Sequence, residues 1–178
     1  MTDDQKIAIE TLVAKEAIRE LVLLYARAAD RQDIELLRTL YTHDATDSHG
    51  NTFDGDANAF IDFLAQSFPY LAYSGHHVCN HLISVQGGVA EGEVYALTYN
   101  AYADGQDGMT EDLMGVRYND TYRRGEDNRW RFSKRVVTYD FRRKRPIAPE
   151  VLDSYPGNGN DPSYQALTHR LFQRGGRE

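Results

Sequence analysis

Asp30 closes a long amphipathic run in Leu24-Tyr25-Ala26-Arg27-Ala28-Ala29-Asp30-Arg31, and a histidine cluster, His76-His77-Val78-Cys79-Asn80-His81, follows further along the chain. A carboxylate and an imidazole are the parts of a general acid–base pair. Imidazole exchanges its proton near neutral pH, and a carboxylate on its second nitrogen fixes the tautomer and balances the charge that forms. No glycine-rich phosphate loop, CxxC pair or nucleophile elbow accompanies them, so the acid and the histidines carry most of the chemical signal. Strict alternation along a strand sets His77, Cys79 and His81 on one face and His76, Val78, Asn80 and Leu82 on the other. The acid then faces two histidines on one strand. A purely structural reading stands beside this one: Asp30 ends a helix and the histidines fill a sheet. Alternate histidines can gather around a metal, but no carboxylate–histidine ligand motif accompanies them, and no metal is expected. Cys79 reads as a small buried hydrophobe, with no helix terminus or base nearby to activate it.

The elements that must position these groups follow from periodicity. Ile7, Leu12, Val13, Ile18, Leu21, Val22, Leu24 and Tyr25 fall roughly on one helical face, which predicts a helix from about residue 5 to about 29. Asp33 is placed to cap a second, short helix through Leu36, Leu37 and Leu40. The polar stretch 42–50 reads as a short strand with turns. Asp56 or Asn58 begins a third helix, which Pro69 helps to end. From residue 74 the period becomes two, giving strands over 76–85, 89–103, 112–124 and 130–141. Gly87-Gly88, the run Asp104 to Gly108, and Gly125-Glu126-Asp127-Asn128 supply the turns. Beyond Pro146 the chain is irregular, broken by Pro156-Gly157-Asn158-Gly159, with a short helix near 163–173. Helices followed by meandering strands describe an α+β fold, with helices on one face of a curved antiparallel sheet and a cone-like pocket between them.

Composition narrows the functional classes. At 178 residues, 41% hydrophobic and 26% charged, the chain has the length and balance of one ordinary globular domain. No apolar run approaches the ~20 residues of a membrane span. The acidic start does not read as a secretory signal, and a single cysteine fits a reducing compartment, so a cytoplasmic location is expected. A net charge of −7 argues against nucleic acid as a partner. Arg142-Arg143-Lys144-Arg145 is the basic exception and reads as a solvated edge or subunit contact.

Element order together with particular residues resembles the nuclear transport factor 2-like superfamily, in its SnoaL-like branch. The resemblance covers about residues 8–145. It is carried by Ile18-Arg19-Glu20-Leu21 leading to Tyr25 and Ala29-Asp30-Arg31, by the His77 strand, and by Gly125 through Trp130-Arg131-Phe132-Ser133-Lys134-Arg135. It implies a domain over residues 1–145, wrapped around the N-terminal helix, and an extension, 146–178, that would cover a pocket or a neighbouring subunit. The branch holds dehydratases, a dehydrochlorinase and polyketide cyclases that move protons in an apolar cavity without a cofactor. Dioxygenase beta subunits share the fold without chemistry, so fold alone assigns nothing.

On this resemblance His77 matches the proton-abstracting base, because the active histidine comes early in its strand, and Asp30 matches the acid that holds it. His76 would then be a surface or interface residue and His81 a bonded sheet histidine. Tyr25 matches a tyrosine that supports an oxyanion or leaving hydroxyl. Five residues turn an ideal helix by about 140°, so Tyr25 and Asp30 are expected to converge only if the helix ends or distorts near Ala29. Arg135 matches a substrate-polarising arginine and shares strand parity with Val137, Tyr139 and Phe141. His49, Tyr99 and Tyr139 are the remaining candidates for the substrate wall. The expected function is a cofactor-free lyase expelling water or another small group from an apolar cyclic or aromatic substrate. An isomerase or cyclase using the same dyad, and a non-catalytic binding or assembly subunit, are the alternatives. A homo-oligomer, dimer or trimer, is expected because open sheets of this kind cover a face with a partner.

Overall fold

The computed structural model describes residues 1–103, 108–152 and 160–177. The expected turn at 104–107 and the breaker segment 156–159 lie outside the described residues. Helix α1 spans Asp3–Asp30 and α2 Ile34–Leu40. Strands β1 (Tyr41–Ser48) and β2 (Asp54–Asp56) precede α3 (Ala57–Ser67). Four long strands follow: β3 (Leu71–Gln86), β4 (Val89–Ala103), β5 (Met109–Arg124) and β6 (Trp130–Ile147). A short α4 (Ser163–Ala166) lies in the C-terminal tail.

Local chemistry starts and stops these helices. Thr2 and Gln5 form a reciprocal capping box at the head of α1, with contacts of 3.3 and 2.9 Å that satisfy two otherwise unpaired donors. Gln32, at φ 52°, turns the chain after α1. Asp33 then caps α2 by accepting from Leu36 N–H at 3.0 Å, and Asp56 caps α3 through Asn58 and Ala59. The apolar face of α1 is used over only part of its length. Ile18, Leu21, Val22 and Tyr25 are buried against the sheet, while Ile7, Leu12 and Val13 are exposed. The expected continuous face therefore ends near Ala14.

The sheet runs in the order β2-β1-β6-β5-β4-β3. β3 to β6 form an antiparallel meander, but β1 pairs parallel to β6. The sheet is thus mixed, not purely antiparallel, because the chain crosses over through α3 and the whole meander between β1 and β6. Register shifts interrupt β3–β4 between Val78 and His81, and β5–β6 between Gly115 and Val116. Such bulges bend strands and raise their twist. The curved sheet holds α1 against one face, and Leu36, Leu37, Leu40, Val94, Ala96, Val116 and Phe132 pack with it into one core.

Two outlying segments have specific anchors. In the basic cluster, Arg142 pairs with Asp112 through Nε at 2.8 Å, and Arg145 pairs with Glu111 at 2.5 Å. Both carboxylates are buried. Arg142 and Arg145 neutralise carboxylates of the neighbouring strand. The described tail residues return to the end of α1. Arg27 donates to the Phe172 carbonyl at 2.6 Å, Arg31 pairs with Asp161 at 2.8 Å, and Gly175 N–H donates to Asp33 at 2.8 Å.

Candidate active site

Asp30 is the last residue of α1, and its carboxylate leaves the helix end toward β3. It lies 2.5 Å from His76 Nδ1, accepts from His76 N–H at 3.0 Å, and accepts from Ser74 Oγ at 3.2 Å. The acid, the imidazole and the backbone of β3 are thereby locked together. With Nδ1 engaged by the carboxylate, Nε2 is the ring nitrogen left for chemistry. Both side chains are largely buried, at 14% exposure for His76 and 11% for Asp30.

His77, expected to hold this position, is exposed, and Asp30 is bonded to His76 instead. A bulge in β3 follows both histidines. Val78 pairs with Ala96, yet His81 pairs with Val94, so β3 carries one residue more than β4 over this interval. The extra residue reverses alternation, putting His76 and Val78 inward before it and Ile83 inward after it. Cys79 lies in that interval and is exposed, not buried as expected. A signal for this existed in the sequence. Val78 stands at an even position while Ile83 and Val85 stand at odd ones, and a regular strand cannot bury all three on one face.

His76 opens onto a cavity of about 230 Å³ between α1, α3 and the sheet. Phe60, Phe63, Leu64 and Phe68 supply one apolar wall, and Met114, Val116 and Val137 another. Tyr25, His49 and Tyr139 also line it. α1 stays helical through Asp30, so Tyr25 and the acid do not converge by distortion. They meet through His76, whose ring stands edge-on to Tyr25 at 6.2 Å. Burial pushes the phenols of Tyr25 and Tyr118 above the ordinary tyrosine range, with the charge of Arg135 opposing the shift. Both phenols therefore hold their protons to higher pH than a free tyrosine.

Arg135 does not reach the cavity. It is fully buried, bonded to Asp120 at 2.8 and 2.7 Å, and covered by the rings of Tyr25, Tyr118 and Phe132 at 4.1 to 4.3 Å. The expected substrate contact is replaced by a charged plug beneath the tyrosines. Tyr99 is also off the wall. It stands on the opposite face of β4 against Tyr73, with ring centroids 5.8 Å apart. The inward row of β4 is instead Thr98, Asn100 and Tyr102. Tyr99 has the wrong parity: the inward face of β4 carries the small side chains Ala90 and Ala96. Thr98 and Asn100 are the polar positions missed in this way.

A model of the SnoaL-like domain matches residues 10–136. The chain belongs to the SnoaL-like family. Solved structures similar to this SnoaL-like chain include a putative scytalone dehydratase from Novosphingobium aromaticivorans, at 21% identity and TM-score 0.67, covering 75% of this chain and 88% of that one. A hexachlorocyclohexane dehydrochlorinase, LinA-type3 from Novosphingobium barchaimii, aligns at 18% identity and TM-score 0.65, covering 80% and 95%. A putative aromatic ring hydroxylase from Novosphingobium aromaticivorans aligns at 20% identity and TM-score 0.63, covering 77% and 92%. Identities this low show a shared fold, and the SnoaL-like family is one of small-molecule-processing proteins. No curated protein matches the sequence. Among the described residues no helix is long and apolar enough to cross a membrane.

Proposed function

We propose that the protein is a cofactor-independent lyase in which His76, held by Asp30, removes a proton from a small cyclic or aromatic substrate and a small group departs. The observation that carries this is the 2.5 Å contact between Asp30 and His76 Nδ1 in the wall of a mostly apolar cavity. Nε2 of His76 takes a proton from a carbon next to an electron-withdrawing group. Asp30 stabilises the imidazolium that forms, as the carboxylate of a catalytic triad does. Tyr25 and Tyr118, kept neutral by burial, donate to the oxygen on which charge develops. Electrons then move to expel the leaving group and form a double bond. Water exclusion strengthens each of these interactions.

The supporting experiment is a screen of hydroxylated alicyclic and aromatic compounds, followed by loss of mass and new ultraviolet conjugation. On a hit, Asp30→Asn lowers kcat by about 10²–10⁴-fold, because an amide neither fixes the tautomer nor balances the charge. Undiminished turnover by that variant overturns the assignment. Product of unchanged mass would identify an isomerase using the same pair.

A further inference from the structure

A second histidine–carboxylate pair faces the same cavity. His49 Nδ1 lies 2.6 Å from Asp47 Oδ1, an ion-pair contact without hydrogen-bond geometry, and Asp47 is fully buried. The other oxygen of Asp47 accepts from Tyr41 Oη–H at 2.7 Å. The imidazole also stacks on Phe60, with centroids 4.3 Å apart and planes 20° from parallel. Its backbone is fixed by a tight turn, in which His49 N–H donates to Phe53 O at 2.7 Å and Thr52 N–H donates to His49 O at 3.0 Å. Gly50 makes this turn possible at φ +56°, a conformation that L side chains rarely adopt. Carboxylate, ring stack and turn together hold one rotamer, as expected of a working group more than of a filler.

The two pairs reach the cavity from opposite sides. His49 follows β1, near one edge of the sheet, and His76 sits on β3, the strand at the other edge. Sheet curvature brings both onto one wall system. Between them Thr98 Oγ1 is buried in the lining and has no hydrogen-bond partner among the described residues. A buried hydroxyl without a partner is costly unless a ligand polar atom completes it.

We propose that His49, positioned by Asp47 and Tyr41, is the general acid that protonates a departing hydroxyl, and that the substrate is a single-ring β-hydroxy ketone or its equivalent. This rests on the proton abstraction assigned to His76. The chemistry separates two leaving-group classes. A halide departs as a stable anion and needs no proton. A hydroxyl departs well only as water. In the balanced step, His76 Nε2 gains the proton from the α-carbon, the C–H electrons become the C=C bond, and the C–O bond breaks. The proton on His49 Nε2 goes to the leaving oxygen, giving water. His76 ends as imidazolium and His49 neutral, and one proton exchanged with solvent at each restores both. A cavity of about 230 Å³, below the ~300 Å³ at which drug-sized pockets begin, fits one ring.

Three probes and the full-length protein test this. Cyclohexanone in D2O reports α-proton exchange by NMR, a reaction that needs the base alone. Conversion of 3-hydroxycyclohexanone to cyclohexenone reports base and acid together. The third probe, 3-acetoxycyclohexanone, releases acetate without a proton. Wild type is expected to catalyse all three. His49→Gln is expected to lose at least 10²-fold in elimination of the hydroxyl, at least tenfold more than it loses in exchange or acetate elimination. Asp47→Asn is expected to follow His49→Gln more weakly, with the same preference for acetate. Retained exchange also shows that each variant is folded. Equal losses on all three probes, or unimpaired hydroxyl elimination by His49→Gln, overturn the acid role of His49. Absence of exchange in wild type overturns the His76 step itself, and the acid role with it.

Discussion

Arg135 shows how one side chain can look catalytic and act structurally. A cation beside three aromatic rings attracts attention as a substrate clamp, yet two bonds to Asp120 and complete burial keep it out of the cavity lining, with Nη1 left without a hydrogen-bond partner among the described residues. Its effect on chemistry is indirect, since its charge opposes the upward shift that burial imposes on the Tyr25 phenol. Breaking a buried pair by removing one partner strands the other charge, which costs about 3–5 kcal/mol. Arg135→Met is therefore expected to lower unfolding free energy by about that amount in a urea melt. Adding Asp120→Leu should recover much of it, because an apolar pair leaves no stranded charge. A single variant as stable as wild type would show that the plug is dispensable. The resemblance cast Arg135 as a substrate-polarising group, and nothing in its spacing reveals that Asp120 on the adjacent strand claims it.

At the scale of elements, β3 decides the site. The elements themselves were legible: Asp33 and Asp56 cap the helices expected of them, and the hairpin glycines close the expected strands. What alternation alone could not supply was the extra residue between Val78 and His81, and a single residue moves every side chain to the other face. His81 reports on the strand beyond that point. It is half-buried, and Nε2 lies 3.2 Å from Tyr122 Oη. Burial pulls its pKa down to about 4, against an opposing pull from Asp120. The folded state thus binds this proton less readily than the unfolded chain, whose histidine titrates near 6.5. Its contribution to stability is complete above about pH 6.5 and is lost as pH falls toward 4. Chemical melts across that window should show stability falling with acid, and His81→Gln should flatten the slope. An unchanged slope in the variant would place the acid sensitivity elsewhere.

Over the whole molecule, curvature does the assembling. β1 and β3 stand near opposite edges of the sheet, and only a bent sheet lets His49 and His76 share a cavity. The order of elements and a pocket against α1 could be read from the sequence. The parallel pairing of β1 and the position of the tail could not, because both depend on contacts between distant segments. Arg27, Arg31 and Asp33 bind the tail to the end of α1, and no described tail residue lines the cavity. Hydrogen bonds to charged groups contribute about 1.5–3 kcal/mol each, and each kcal/mol moves Tm by about 2–4 °C at this size. Removing residues 161–178 is accordingly expected to lower Tm by at least roughly 9 °C in a thermal scan while turnover below the new melting point persists. Loss of turnover in a still-folded truncation would assign the tail a part in the site.

On the proposed function His76, bonded to Asp30, is the base and His77 is not. The direct test compares His76→Gln with His77→Gln in α-proton exchange or turnover, measured on the same substrate. Exchange reduced at least 10²-fold by His76→Gln and left near wild type by His77→Gln is the predicted result. The reverse pattern, with His77→Gln inactive and His76→Gln active, would contradict it.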